Sequence, residues 1–320
     1  ALPGRLREST LSPGGLYAMF GTESATILGG LHLGNSRVGV ASEGALQGYV
    51  SSPVFDPDEE HFYSVVTLGI DRDYDGPAYF VTEGFLVKSH FEPLALIALV
   101  HLPTLHPEAR GRHASIPPDG TRAAVAMGEE GVVFVVDLLT MTVVDADTET
   151  PGDQGFDVSR SSDRPEYAAI APDGQAVYVA HALTNGDLDR LDVATGEVTP
   201  LQVEEPAPSL RPPGTVAFGP DGRLYAARMG ADTPAASIWD PAVQTWKSVH
   251  PGTSASSLAF SADGLLYHIA NLGPVPGATG GVRAQFVLTE EPVPADADGA
   301  PVIATGMPAV PSRGWQLLTP

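Results

Sequence analysis

The chain contains no cysteine. That one absence removes disulfide cross-links, thiolate nucleophiles and thiolate metal sites. Lysine is almost missing as well: Lys88 and Lys247 stand among 17 cationic residues, against 39 acidic ones. The formal net charge is −22 and the isoelectric point lies near 4.5. With no basic patch to meet a polyanion, nucleic acid is disfavoured as a partner. An acidic surface of this kind keeps a chain soluble and draws cations toward it. Long apolar runs are absent too. The longest, Leu94 to Val100, falls far short of the roughly 20 residues that a membrane-spanning helix needs, so no membrane span is expected.

Catalytic fingerprints are equally scarce. There is no GxSxG nucleophile elbow, and Ser256-Ser257 has no identifiable base near it. There is no GxxxxGK[ST] phosphate loop. Gly277 to Gly281 is glycine-rich, but it does not open a predicted helix, so it is no dinucleotide fingerprint. No segment sustains an apolar period of 3.6 residues, which predicts little helix. The chain begins at Ala1 without a charged-then-apolar leader. This reads as a processed product, and an extracellular or periplasmic location is expected.

Glycine (35) and proline (30) are what the chain has in abundance, and they mark tight turns. Six turn signals recur, each just before a Tyr- or Val-rich stretch: Ser12-Pro13-Gly14-Gly15, Asp56-Pro57-Asp58-Glu59, Pro118-Asp119-Gly120, Pro172-Asp173-Gly174, Pro220-Asp221-Gly222 and Ala262-Asp263-Gly264. Their spacing runs from 42 residues (Pro220 to Ala262) to 61 (Pro57 to Pro118). A strand–turn–strand unit repeating at that interval predicts an all-β fold, a six-bladed β-propeller of about 53 residues per blade, in one domain spanning 1–320. A seventh blade is the alternative, placed in the wrap-around from Ala262 through Pro320 to Pro13 or within the 61-residue gap.

The unit is clearest from Tyr167 to Leu201. Tyr167–Ile170, Ala176–Ala180, Asp189–Asp192 and Val198–Leu201 read as four strands, separated by turns at Pro172-Asp173-Gly174, Asn185-Gly186 and Ala194-Thr195-Gly196-Glu197. The same order recurs over His113 to Asp145 and over Thr215 to Val249, and begins again at Ser257. Before that the pattern is weaker. His61–Leu68, Ala78–Thr82 and Leu96–Leu99 suit a blade with long insertions, with the apolar run near Leu94 as a buried strand. Ring closure removes exposed sheet edges, so one blade is expected to join Arg5–Ser9 with Gly314–Leu318.

The phrases Ile170-Ala171-Pro172-Asp173-Gly174-Gln175-Ala176-Val177-Tyr178-Val179-Ala180 and Leu191-Asp192-Val193-Ala194-Thr195-Gly196-Glu197-Val198 resemble the bacterial YVTN-type propellers. More loosely, the chain resembles NHL and SMP-30/lactonase propellers. The resemblance covers roughly Ser115 to Tyr267. It implies a fold and not an activity, because that wider group mixes hydrolases, lyases, dehydrogenase subunits, metal-handling proteins and binding scaffolds. Such lactonases hold a divalent cation with Glu, Asn and Asp around the axis. Here Glu166 and Asn271 alone match those roles, which puts that activity in doubt.

In a propeller the residues just before the first strand and just after the second meet at one mouth of the central channel. Those slots hold His113, Glu166, His181 and Arg228. The set suits an anion, a metal or an acid–base pair, with water-satisfied loop residues as the plain alternative. Asp71-Arg72-Asp73-Tyr74-Asp75-Gly76 places carboxylates at alternate positions before a glycine, the opening of a calcium loop. The twelfth position is Thr82, with Glu83 one residue late. A solvated acidic turn is the alternative. His90, His101, His106 and His113 cluster in sequence, and imidazole suits zinc or copper, although no HxH or HxxxH pair is present. The expectation is therefore an exported propeller, stabilised by calcium at Asp71, Asp73 and Asp75, that binds a small molecule or a protein at its mouth. A metal-assisted hydrolase or lyase, using His113, Glu166, His181 and Arg228, is the rival reading. A periplasmic zinc or copper carrier is the third.

Overall fold

A computed structural model of the chain describes residues 6–11, 17–22, 27–32, 37–42, 48–58, 60–71, 80–90, 95–104, 111–159, 164–181, 188–201, 213–219, 221–228, 236–241, 243–250, 255–260, 266–274 and 282–288, with side-chain burial given mainly between 53 and 246. Among these residues there is no helix. No helix is therefore long and apolar enough to cross a membrane.

Among the described residues the strands fall into six antiparallel sheets, each built on a meander. The first holds β1 (Leu6–Leu11), β2 (Tyr17–Thr22), β3 (Ile27–His32) and β4 (Arg37–Ser42). The second holds β5 (Gly48–Phe55), β6 (His61–Asp71), β7 (Phe80–His90) and β8 (Ala95–Leu102). In the third, β9 (Gly111–Ser115), β10 (Arg122–Met127), β11 (Val132–Asp137) and β12 (Thr142–Val144) are joined by the short β13 (Phe156–Asp157), which pairs with β11. The fourth holds β14 (Pro165–Ile170), β15 (Ala176–His181), β16 (Leu188–Asp192) and β17 (Val198–Leu201). The fifth holds β18 (Pro213–Phe218), β19 (Leu224–Arg228), β20 (Ala236–Asp240) and β21 (Thr245–His250), and the sixth β22 (Ala255–Phe260), β23 (Leu266–Pro274) and β24 (Val282–Leu288). The first strands of successive sheets touch: β1 with β5, β5 with β9, β9 with β14, β14 with β18, β18 with β22, and β22 with β1.

Side chains alternate across a strand, and here both faces of the central sheets are covered. Ala123, Val125 and Met127 of β10 pack toward the β5–β8 sheet with Tyr63, Leu86 and Leu102. Their neighbours Ala124 and Ala126 pack the other way, with Ala168, Ile170 and Val177 of the next sheet. In β15, Val177 and Val179 face one sheet, while Tyr178 and Ala180 join Val216 and Trp239 on the opposite side. This is why Ala123–Met127 reads as an unbroken apolar run rather than an alternating one. The first and second strands carry small residues such as Ala124, Ala126, Ala168 and Ala226, where neighbouring backbones come close. Third strands carry Phe134, Leu191 and Trp239, larger groups that fill the wider space farther out.

Three of the turn signals build one and the same hairpin. Gly120, Gly174 and Gly222 take φ of 65°, 68° and 76°. Their amides donate to Pro117, Ala171 and Gly219 carbonyls at 3.0, 2.8 and 2.9 Å. Asp119, Asp173 and Asp221 each accept the amide two residues on, so these carboxylates serve their own turns. A second turn recurs between third and fourth strands. Asp192 Oδ1 accepts the amides of Ala194 and Thr195, and Gly196 follows at φ 72°. Asp137 does the same for Leu139 and Thr140, but Met141 takes the positive φ, at 53°. In the fifth sheet Gln244 takes it, at 49°.

The β5–β8 sheet puts part of its extra chain into strands, β6 and β7 being 11 residues each, while residues 72–79 between them lie outside the described residues. One sequence expectation needs correction. The Leu94–Leu99 run does form a strand, but an exposed one. It lies in β8, at the outer edge, where Leu96, Ile97 and Leu99 are more than half exposed. Arg5–Ser9 falls largely within β1, whose sheet is completed by residues 17–42. Gly314–Leu318 lies outside the described residues.

A left-handed backbone costs a non-glycine residue about 1 kcal/mol. Gln244→Gly is expected to raise unfolding stability by roughly 0.5 kcal/mol. Gly196→Ala, where the added methyl meets Phe156 only at ordinary contact distance, is expected to lower it by about 1 kcal/mol. Urea denaturation of the two variants checks the pair.

Candidate functional site

The register gives the sheets two distinct ends. The Asp56, Pro117–Gly120, Ala171–Gly174 and Gly219–Gly222 turns lie at one end. The other is open, where Gly111 faces Met127, Pro165 faces His181 and Pro213 faces Arg228. His113, Glu166, His181 and Arg228 all belong to strands near this open end.

Their environments differ from those of a shared reactive set. His113 is buried, and its Nδ1 lies 2.9 Å from the Ala168 carbonyl on β14, with its ring edge-on to Tyr167 at 5.4 Å. A carbonyl accepts only, so Nδ1–H donates and ties β9 to β14. Burial pushes the imidazole down to about 4 against the opposing pull of that bond, leaving the ring neutral. His181 closes β15 fully buried, and its Nε2 lies 2.7 Å from Oδ2 of buried Asp189 on β16. The two are diagonal neighbours on one face of the sheet, since Asp189 is opposite Val179. Glu166 is half-buried at the register irregularity between Pro165 and Tyr167. Arg228 ends β19, and its side chain lies outside the described residues. Thus the structure makes His113 and His181 interior ties with partners of their own. Sequence reasoning missed Asp189. The signal was there: an acid between two leucines, in a strand whose two faces are both covered.

Asp71 ends β6 at the end away from the Asp56 turn, opposite Phe80. Its side chain, together with Asp73 and Asp75, lies outside the described residues. Three of the four clustered histidines are described, and they do not gather. His90 pairs with His61 across β6 and β7, His101 rests against Phe85 on the exposed β8, and His113 is interior. His106 lies outside the described residues.

A different group assembles at the turn end, from a segment that the sequence marks only as a turn. Polar atoms of Asp56, Asp58 and His61 lie within 4.8 Å of one another. His61 Nδ1 is 2.6 Å from Asp58 Oδ2. Asp58 Oδ1 accepts the amides of Glu60 and His61 at 2.8 and 2.9 Å. Partial burial raises the Asp58 carboxyl, but the bonds from His61 and Glu60 outweigh it and hold the group below its ordinary value. Asp56 Oδ2 takes the Tyr63 hydroxyl at 3.1 Å and the Lys88 ammonium at 3.3 Å. Lys88 also lies over the Tyr63 ring, 5.3 Å from its centre.

These features define an all-β protein of several antiparallel sheets. Among solved structures it is similar to the hydrazine synthase of Kuenenia stuttgartiensis, a β-propeller-containing protein, with a TM-score of 0.54 at 16% identity over 89% of this chain and 76% of that one. At that identity the likeness concerns the fold alone. No family model and no curated protein matches the chain.

Two predictions follow from the interior ties. Between pH 6.5 and about 4 the unfolded chain binds a proton at His113 that the folded chain does not, so stability falls as pH falls through that window, by up to about 3 kcal/mol. Denaturation midpoints across pH 7 to 4 are expected to show this slope, and His113→Gln to flatten it. Asp189→Ala leaves His181 buried without its acceptor and is expected to cost about 2–4 kcal/mol, with Asp189→Asn losing less, as read by urea denaturation.

Proposed function

We propose that the chain is a six-bladed β-propeller, exported, that acts as a binding or interaction module, with a small molecule or a protein held at the open end. The observation that carries this reading is the run of touching first strands from β1 through β22 and back to β1. Such an arrangement gathers six sets of loops around one axis on a rigid base. Calcium at Asp71, Asp73 and Asp75 stabilises the β6–β7 connection at that same end. Binding is favoured over hydrolysis or elimination because His113 and His181, two of the four groups a reaction would draw on, are engaged in bonds between strands.

The absence of cysteine makes the closure testable. Cysteine pairs placed along β1 and β22 are expected to cross-link under mild oxidation in the folded chain, and failure at every position sinks the six-bladed ring. Calcium is expected to raise the melting temperature, by the equivalent of about 2.7 kcal/mol at a hundredfold excess over its dissociation constant. The rise should vanish in Asp73→Asn. For a ligand found by screening the immobilised chain, Arg228→Glu should weaken binding while Asp173→Asn, at the opposite end, should not. The reverse pattern contradicts a site at the open end.

A further inference from the structure

We propose that Asp56, Asp58 and His61, with His90 beside them, form a binding site for a divalent transition cation of the zinc class. The site lies at the turn end, away from the proposed ligand face and from Asp71 at the far end of β6, and it does not depend on either.

The donor set carries the argument. It is not a patch of carboxylates: the His61 imidazole is part of it, and the His90 imidazole lies against His61 from the paired strand. His61 opens β6 and His90 closes β7, directly opposite in the ladder, with ring centres 5.4 Å apart and planes at 81°. The Asp56, Asp58 and His61 ligand atoms already lie within 4.8 Å of one another. Mixed nitrogen and oxygen donors suit zinc, nickel or copper, whereas calcium takes oxygen alone. One proton now lies between Asp58 Oδ2 and His61 Nδ1, which are 2.6 Å apart. The cation takes the place of that proton, the neutral ring carrying its proton on Nε2 instead, and bonds to both atoms. Zinc-to-nitrogen and zinc-to-oxygen bonds of about 2.0–2.2 Å at a tetrahedral angle require the two atoms to separate by about 0.8 Å. Asp58 is the more exposed of the two, with 42% of its side-chain surface open, and it makes that shift by turning about Oδ1, which the Glu60 and His61 amides hold. The hairpin base is held in place meanwhile, because the Asp56 amide donates to the His61 carbonyl at 3.0 Å.

Lys88 is the built-in competitor. Its ammonium lies 3.3 Å from Asp56 Oδ2, where it compensates a carboxylate that a metal would otherwise share. A unit positive charge this close weakens the affinity for a dication, so its removal should strengthen binding.

The experiment is calorimetric titration of the full chain with zinc chloride, repeated on single variants. The wild-type chain is expected to bind at a stoichiometry set by one site at this turn. His61→Ala and His90→Ala are each expected to weaken that binding at least about tenfold. Asp58→Asn provides the same test should a histidine variant fail to fold, as thermal melts without zinc will show. Lys88→Met, which keeps the aliphatic stem over Tyr63, is expected to tighten binding about five- to tenfold. Asp73→Asn should leave zinc affinity unchanged, which separates this site from the calcium loop. The proposal is overturned if the folded wild-type chain does not bind zinc, if both histidine variants bind it as the wild type does, or if Lys88→Met fails to tighten it.

Discussion

Burial of both faces of each central sheet is the constraint on which the rest of the structure depends. Backbone hydrogen bonds run within sheets, so side-chain interlock and a few polar ties hold one sheet to the next. The interlock explains the small residues on the first and second strands and the bulky ones farther out. It also explains how a chain without disulfides secures its interior. Several polar groups that enter these layers bond across sheet boundaries. Ile170 N donates to Ser115 Oγ at 2.9 Å, and Gly111 N to Thr67 Oγ1 at 2.9 Å. Together with the His113 bond to Ala168 they tie β6, β9 and β14 across sheet boundaries, and Arg122 adds a bond to the Gly174 carbonyl at the turn end.

The antiparallel meander then divides the molecule's chemistry by end. Short hairpins at one end spend their carboxylates on their own amides, which leaves Asp119, Asp173 and Asp221 little to offer a ligand. The Asp56 hairpin follows this rule only in part. Asp58 Oδ1 accepts the amides of Glu60 and His61, but the hairpin lacks the glycine of the other three, and the second oxygens of Asp58 and Asp56 reach His61 and Lys88. The open end carries the longer connections, and there the architecture sets few limits on sequence.

Much of the repeat was legible because the turns have strict stereochemistry. A glycine at positive φ after an aspartate is hard to replace, and four strands from Tyr167 to Leu201 could be read almost to the residue. The first sheet was not legible. Residues 17–42 are rich in glycine and lack the Pro-Asp-Gly signal after the first hairpin, so nothing in the pattern announces their pairing. The site was less readable than the fold for a related reason. Slots near the open end can be assigned from strand direction, but whether a histidine there faces solvent or a neighbouring sheet depends on packing. His113 and His181 turned inward because the layers on both sides demanded it. Asp189 and the His61–His90 pair escaped notice because their significance lies in cross-strand register, which local spacing does not reveal.

The exposed β8 edge has a colloidal consequence. Its eight residues carry no acid, no lysine and no proline, the usual guards against edge-to-edge pairing. What protects it is therefore remote: mutual repulsion between copies of a chain that bears a formal charge of −22. Salt shortens the reach of that repulsion and acidity near the isoelectric point abolishes it. The acidic composition thus acts as the solubility guard of one apolar strand, a duty that most proteins assign to residues on the strand itself.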